Sequence, residues 1–201
     1  NLDMCYLCHN AAANDEYVRV GSYGVDPSEA YDGRAGQAFG IKEMVHAVHP
    51  AGALGNPLVI YRGRGIYGWA ADVSQLSNWP AGDWPGDVDD LPVFGSDDGM
   101  GNPVLQDHHF HIPTYPRGLY DCAACHVAGV DIFPDATKAM ATTVEAGAPP
   151  FGDRLNDVLE GVQTSSCVTC HADSASKGHA YQNSWDPQEF PEGRQTIIDA
   201  N

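Results

Sequence analysis

The sequence predicts a mainly irregular fold with short α-helices and little β structure. Three observations predict it. The chain has 22 glycines and 14 prolines among 201 residues, and both residue types interrupt regular elements. The clearest helical spacing of apolar side chains is confined to residues 37–48. All six cysteines fall in three copies of one five-residue motif. We therefore expect a chain that wraps bound groups with short helices and long turns.

The motif copies read CYLCH, CAACH and CVTCH, and their defining residues are Cys5, Cys8 and His9; Cys122, Cys125 and His126; and Cys167, Cys170 and His171. In C-x-x-C-H, two thiols bind the two vinyl groups of a haem and the histidine reaches the iron. A disulfide framework or a zinc site would also use an even number of cysteines, but would leave the following histidine unexplained. We predict three covalently bound haem c groups, with His9, His126 and His171 as proximal iron ligands.

This cofactor content completes the predicted fold class, a multihaem cytochrome c architecture in which short α-helices wrap stacked haems. Each haem supplies a large apolar plate, so we expect no stable fold without haem. Residues 1–201 form a single haem-binding unit in this interpretation. It divides into a first-haem and distal-histidine lobe (1–55), an irregular Gly/Pro/Asp-rich insert (56–116) and a second- and third-haem lobe (117–201).

Local patterns place a few elements within these lobes. A helix is predicted over residues 37–48, with Pro50 ending it. Short helical stretches are expected near residues 135–145 and 153–162. The insert contains a short β-prone piece at residues 57–61 but no long periodicity.

Six histidines remain for the distal side of the irons. His46 and His49 lie three residues apart on the predicted helix, so they share a face but diverge, and we expect them to serve two different haems. His179 follows His171 by eight residues in a segment of small side chains and is a plausible third distal ligand. For either helical histidine, the alternative is an ordinary buried or surface residue.

The cluster His108, His109 and His111 has three interpretations. It is a solvated loop with one core histidine, or it supplies a distal ligand in place of His49 or His179, or it belongs to a separate copper or zinc site. Adjacent histidines point apart and no complete ligand set is visible, which disfavours the last interpretation.

The net charge of −17 disfavours nucleic acid or an anionic membrane as partner. A cationic patch on a redox partner protein, a metal ion or a mineral surface suits this charge, although it is also typical of a soluble protein in salty surroundings. Because haem is attached outside the cytoplasm, we expect an exported protein in an extracellular, cell-surface or periplasmic location. The chain begins without an export signal, which we interpret as a processed start, and no apolar run predicts a membrane span.

Three segments resemble the haem domains of the outer-membrane decahaem cytochromes of metal-reducing bacteria. Residues 41–52, IKEMVHAVHPAG, are similar to their paired-histidine segment. Residues 167–179 are similar to their closing haem motif, and residues 115–126 to the approach to an internal one. The resemblance implies low-spin haems with two histidine ligands each, and it supports His46, His49 and His179 as the distal set. The relatives differ in carrying five haems per haem domain and separate β-rich domains.

The predicted function is one-electron transfer, because two histidines on each iron leave no site for a substrate. We therefore expect an electron-transfer protein rather than an enzyme, serving redox partner proteins or an extracellular electron acceptor. Two alternatives remain open at this point. One is a subunit of a conductive cytochrome filament with haems stacked between copies, and the other is a multihaem reductase with one open iron.

Overall fold

The computed structural model describes residues 2–82, 86–115, 117–129, 142–145, 158–171 and 173–183. A four-stranded sheet dominates this part of the chain, formed by β1 (Leu58–Arg62), β2 (Gly65–Trp69), β3 (Gly86–Asp97) and β4 (Pro103–His111). The spatial order is β1-β2-β4-β3. β2 runs parallel to β4, whereas the β1–β2 and β3–β4 pairs are antiparallel, so the sheet is mixed.

The main hydrophobic core lies against this sheet and is built from polypeptide side chains. Tyr31 is at its centre, with its ring 5.7 Å from that of Tyr61 and 4.9 Å from that of Trp79. The buried members of the cluster are Val25, Ala30, Tyr31, Val59, Tyr61, Ile66, Ala70, Leu76, Trp79, Val93 and Phe110. Large aromatic side chains bury much apolar area each, which lets a small sheet hold a continuous core.

A buried arginine joins the N-terminal segment to the first strand. Arg19 is fully buried and donates twice to the carboxylate of Asp15 at 2.9 Å, and it also pairs with Asp32. Its remaining bonds go to the backbone carbonyls of Arg34 and Val59, both at 2.9 Å. All five guanidinium N–H groups are thereby used, which is the condition under which a buried charge is tolerated. Burial acts to lower the pKa of Arg19, but the two carboxylates raise it above its ordinary value.

The helix predicted over residues 37–48 is present as α1 (Ile41–Ala51). It begins after Gly40 and continues one residue past Pro50, which lies inside the last turn. Proline has no N–H to donate to the carbonyl four residues earlier, so the carbonyl of His46 lacks the hydrogen bond that residue 50 would otherwise donate. The thiol of Cys170 takes that place, with its sulfur 3.9 Å from the oxygen.

The predicted fold class, mainly irregular with short α-helices wrapped around stacked haems and little β structure, is wrong. The four-stranded sheet lies within residues 56–116, where we expected an irregular insert. Half of the Asp residues that suggested a loop belong to β3, an edge strand that also contains Pro92. Edge strands tolerate proline, as at Pro92 beside a break in register, and they use exposed charges to block pairing with other chains.

The two short helices expected near residues 135–145 and 153–162 are also corrected where the structure describes them. β5 (Thr142–Glu145) and β6 (Val158–Glu160) form an antiparallel pair with Thr142 opposite Glu160. Residues 135–141 and 153–157 lie outside the described residues. The chain continues into α2 (Val162–Cys167) and α3 (Ser174–Asn183), which pack against each other through the Thr164 hydroxyl and the Ala180 carbonyl at 3.4 Å.

Candidate functional site

All three Cys-x-x-Cys-His motifs fold into the same single turn. In each, the carbonyl of the first cysteine accepts the N–H of the second cysteine at 3.2 Å and the N–H of the histidine at 2.8 or 2.9 Å. The first turn begins within a 3₁₀ helix (Leu2–Leu7) and the second contains a short 3₁₀ helix (Cys122–Ala124). The third begins at the last residue of α2. Because the surroundings differ, the turn is a property of the motif, and it keeps two thiols and one imidazole within five residues.

The six thiols are free, and their burial differs between motifs. The cysteines of the first two motifs are exposed, while Cys167 and Cys170 are half-buried. Burial raises the pKa of Cys167, and the positive charge of Lys42 opposes that shift. Burial likewise raises the pKa of Cys170, opposed by the Thr169 hydroxyl and reinforced by the thiols of Cys167 and Cys122. The second and third motifs therefore lie within electrostatic range of each other.

The histidine of the first motif is fixed by the segment that precedes α1. The Nδ1 of His9 lies 2.7 Å from the backbone carbonyl of Phe39, and the Phe39 ring packs edge-on against the imidazole at 5.6 Å. A carbonyl can only accept, so Nδ1 carries the hydrogen and Nε2 is left as the bare nitrogen of the neutral ring. This is the usual arrangement of a histidine that binds a metal through Nε2.

The two histidines of α1 show the same arrangement. The Nδ1 of His46 lies 2.7 Å from the carbonyl of Lys42, and the Nδ1 of His49 lies 2.8 Å from that of Val45. Each bond joins residues four apart on the helix, so the helix itself sets the ring orientation. Both rings consequently present Nε2 as an available electron-pair donor.

The structure brings α1 against the second motif. The ring centroids of His46 and His126 are 6.1 Å apart with planes inclined by 26°. The ring of His49 packs edge-on against Tyr115 at 5.2 Å, and the Tyr115 hydroxyl lies 3.3 Å from the sulfur of Cys125. Both α1 histidines thus lie close to the second Cys-x-x-Cys-His turn, and the contact of Cys170 with the His46 carbonyl adds the third motif.

The remaining candidate histidines lie elsewhere. His179 is exposed on α3, beside the Ala180 carbonyl that contacts α2. His108, His109 and His111 are on β4 rather than in a loop. His108 is buried in the core, with Nδ1 2.9 Å from the Gln106 carbonyl and Nε2 2.8 Å from the Tyr31 hydroxyl, so both ring nitrogens are in use.

His109 and His111 lie on the opposite face of β4 from His108, in an aromatic row. The ring of His109 stacks on that of Tyr67 with 4.4 Å between centroids, and its Nδ1 lies 2.9 Å from Oδ1 of Asp87. The ring centroid of His111 lies 5.9 Å from that of Trp69. Within the described part of the chain, no three His, Cys, Asp or Glu side chains form a group able to hold a metal ion. The alternative of a separate copper or zinc site therefore gains no support from these residues.

The surroundings of the motifs fit a covalently attached haem. Apolar side chains next to the turns are strongly exposed, including Leu7 (77%), Tyr120 (91%) and Val127 (69%). Exposed apolar groups beside paired thiols suit haem, which presents a large apolar face. The two thiols and the following histidine are the groups that bind haem c, and the apolar neighbours can pack against its face.

Sequence reasoning missed the polar residues that connect these turns. Lys42, Glu43, Thr142 and Ser165 form a largely buried network between α1, β5 and α2. No motif marks them, because the contacts from α1 to β5 and α2 join residues 99 to 123 positions apart. The one signal in the sequence is the scarcity of lysine, since Lys42 is one of only three lysines.

The comparisons with known proteins give the family of the chain. A family model described as outer membrane cytochrome MtrC/MtrF-like, domains II/IV, matches residues 1–196, and the chain belongs to that family. Searches of curated proteins and of solved structures gave no match. Membership confirms the predicted relation to the decahaem cytochromes of metal-reducing bacteria.

Several consequences follow from the family. Its members are exported, cell-surface electron-transfer cytochromes rather than classical enzymes, and they carry haem c and act with redox partners. In the described residues, no helix has the length and apolar character needed to cross a membrane.

Proposed function

We propose that the chain is a trihaem c-type cytochrome that transfers single electrons through low-spin haems with two histidine ligands each, in extracellular or periplasmic respiration. The repeated turn is the observation that carries this proposal. The same two hydrogen bonds fold all three motifs, although their surroundings differ. Each turn offers two thiols for thioether bonds and one imidazole for the iron.

In this proposal His9, His126 and His171 are the proximal ligands, and His46, His49 and His179 are the distal ligands. Support is strongest for His46. The ring centroids of His46 and His126 lie 6.1 Å apart with their planes inclined by 26°, so the two imidazoles are near enough to bind one iron. We therefore assign His46 to the haem that Cys122 and Cys125 would hold.

When bound, haem supplies the reversible one-electron change of its iron. The residues of the chain hold and orient it. The carbonyls of Phe39, Lys42 and Val45 fix the hydrogen of His9, His46 and His49 on Nδ1, which aligns Nε2 for coordination. Two histidine ligands on one iron would leave no site for a substrate and would favour a lower potential than a methionine ligand would.

The charge and the arrangement of the motifs support a role in passing electrons on. The second and third motifs lie together against α1, which suits short electron steps between their haems. A net charge of −17 favours an acceptor or partner with a cationic docking surface. Redox partner proteins and an extracellular acceptor both satisfy this chemistry.

The deciding experiment is to produce the chain with export and haem-attachment machinery and to measure covalent haem by intact mass and by its visible spectrum. We expect three haems per chain, and electron paramagnetic resonance of the oxidised protein should show only low-spin iron. The variant pairs C5S/C8S, C122S/C125S and C167S/C170S should each lose one haem. Fewer than three haems, or one high-spin haem in the wild type, would overturn the proposal.

A further inference from the structure

A charged pair lies at the junction of the elements that carry the second and third motifs. The Nζ of Lys42 lies 2.6 Å from Oε1 of Glu43, and their side chains are 25% and 5% exposed. The same Glu43 oxygen accepts from the hydroxyls of Thr142 at 2.6 Å and Ser165 at 3.1 Å. Lys42 also donates to the Ser165 hydroxyl at 2.9 Å. The network therefore fixes both charges in one place.

This position is next to the third attachment site. Ser165 stands two residues before Cys167 on α2, and the charge of Lys42 acts on the pKa of the Cys167 thiol against the larger effect of burial. The backbone carbonyl of Lys42 also orients His46 at 2.7 Å. Lys42 thus orients His46 through its backbone carbonyl and contacts α2, two residues before Cys167, through its side chain.

The composition makes this position unusual. The chain has only three lysines, Lys42, Lys138 and Lys177, against a net charge of −17. A surface charge is screened by solvent and salt, whereas a largely buried pair keeps its electrostatic effect on neighbours. A lysine and a glutamate at this junction therefore act on their neighbours more strongly than solvent-exposed charges would.

We propose that the Lys42–Glu43 pair sets the reduction potential of the haem attached to Cys167 and Cys170. The inference rests on the proposed haem-binding function. Reduction removes one positive charge from an iron centre, so a fixed cation nearby stabilises the reduced form and a fixed anion stabilises the oxidised form. Lys42 and Glu43 act in opposite directions, and their balance gives the potential. Both residues act through their charge, and neither is proposed as an iron ligand.

The test is a spectroelectrochemical titration of the haem-loaded full chain at one fixed pH. Lys42→Met removes the cation and leaves Glu43, so one of the three midpoint potentials should fall. Glu43→Gln removes the anion and leaves Lys42, so the same midpoint should rise. The double variant should return towards the wild type. Arg64→Gln is the matched control, because it removes one positive charge from the exposed β1–β2 turn and should leave all midpoints in place.

Opposite shifts separate an electrostatic role from a structural one. If the pair only held α1 to α2, both single variants would disturb the site in the same direction, and that result would overturn the inference. Midpoints no different from those of Arg64→Gln would also overturn it. Lys42→Arg keeps the positive charge and should therefore keep the wild-type midpoint potential. It provides a test of the charge even if Lys42→Met folds poorly. Failure of the haem proposal itself would be seen separately, as missing haem in the intact mass.

Discussion

The imidazole of His46 lies 6.1 Å from that of His126, measured between ring centroids, and connects α1 to the second motif turn. The Lys42 carbonyl holds the hydrogen of His46 on Nδ1, and the carbonyl of His46 itself receives the thiol of Cys170 at 3.9 Å. His46 therefore lies next to both the second and the third motif. Pro50 favours the contact with Cys170, because it has no N–H to donate to the His46 carbonyl.

Replacing His46 should change the spin state of one haem. In His46→Ala, the iron attached at Cys122 and Cys125 loses its second imidazole, so one high-spin haem per chain should appear. The thioether bonds do not involve His46, so the haem count should stay at three. Electron paramagnetic resonance of the oxidised protein measures the spin state, and intact mass measures attachment.

The matched control is His111→Ala, which removes an exposed imidazole from β4. We expect its haems to remain low-spin. A fully low-spin spectrum for His46→Ala together with a high-spin haem in His111→Ala would move the distal ligand from α1 to the sheet.

Removing the Arg19 side chain should strongly destabilise the folded protein. Arg19→Met leaves the carboxylates of Asp15 and Asp32 buried without their cation, and breaking a buried pair in this way costs about 3–5 kcal/mol. Urea denaturation followed by circular dichroism measures the free energy of unfolding. Arg64→Met, in the exposed β1–β2 turn, should change it by less than about 0.5 kcal/mol.

A second variant separates charge from hydrogen bonding at this site. Asp15 also accepts the backbone N–H groups of Gln37 and Tyr61, both at 2.7 Å. Asp15→Leu/Arg19→Met therefore should not recover wild-type stability, because two buried backbone donors remain without partners. Full recovery would show that the carboxylate contributes only as the partner of Arg19.

The parts predicted from sequence were those encoded by local chemistry. The Cys-x-x-Cys-His string fixes its own turn, and the spacing of apolar residues before Pro50 predicted α1 to within a few residues at each end. The family relation also came from local strings. Each of these features depends on residues within about one or two turns of chain.

The sheet and the buried charge networks depend on distant residues and were not predicted. β2 lies parallel to β4, with Ile66 opposite His108, and no local pattern specifies that pairing. β3 is rich in Asp and contains Pro92, a composition that is typical of a loop. The same composition also suits an edge strand, but the sequence does not show that β3 lies at the edge of the sheet. Likewise, the histidine cluster proved to be a strand whose His108 faces the core.

His108 should make stability depend on pH. Burial lowers the pKa of His108 below its ordinary value of 6.5, mainly opposed by the hydrogen bond to Gln106. The unfolded chain therefore binds a proton below pH 6.5 that the folded chain does not, and stability falls as the pH falls through that window. The slope from this one group is at most about 1.4 kcal/mol per pH unit.

His108→Gln should remove that part of the slope, whatever its effect on absolute stability. The measurement is the free energy of unfolding at several pH values between about 5 and 7.5, the range in which a histidine titrates. His111→Gln, on the same strand but exposed, should keep the wild-type slope. An unchanged slope in His108→Gln would show that other groups govern the acid sensitivity.

The sheet should stay folded without any haem, contrary to the expectation from sequence that haem is needed for a stable fold. No residue of the three motifs belongs to the buried cluster around Tyr31, Tyr61 and Phe110. A variant with all six cysteines changed to serine should therefore keep slow amide hydrogen exchange in β1, β2 and β4, while the motif turns exchange quickly. Phe110→Ala in the same background is the control, since emptying that core position costs about 3–5 kcal/mol and should abolish the protection. Exchange at unfolded rates in β1 of the cysteine-free variant would restore the view that haem organises the entire chain.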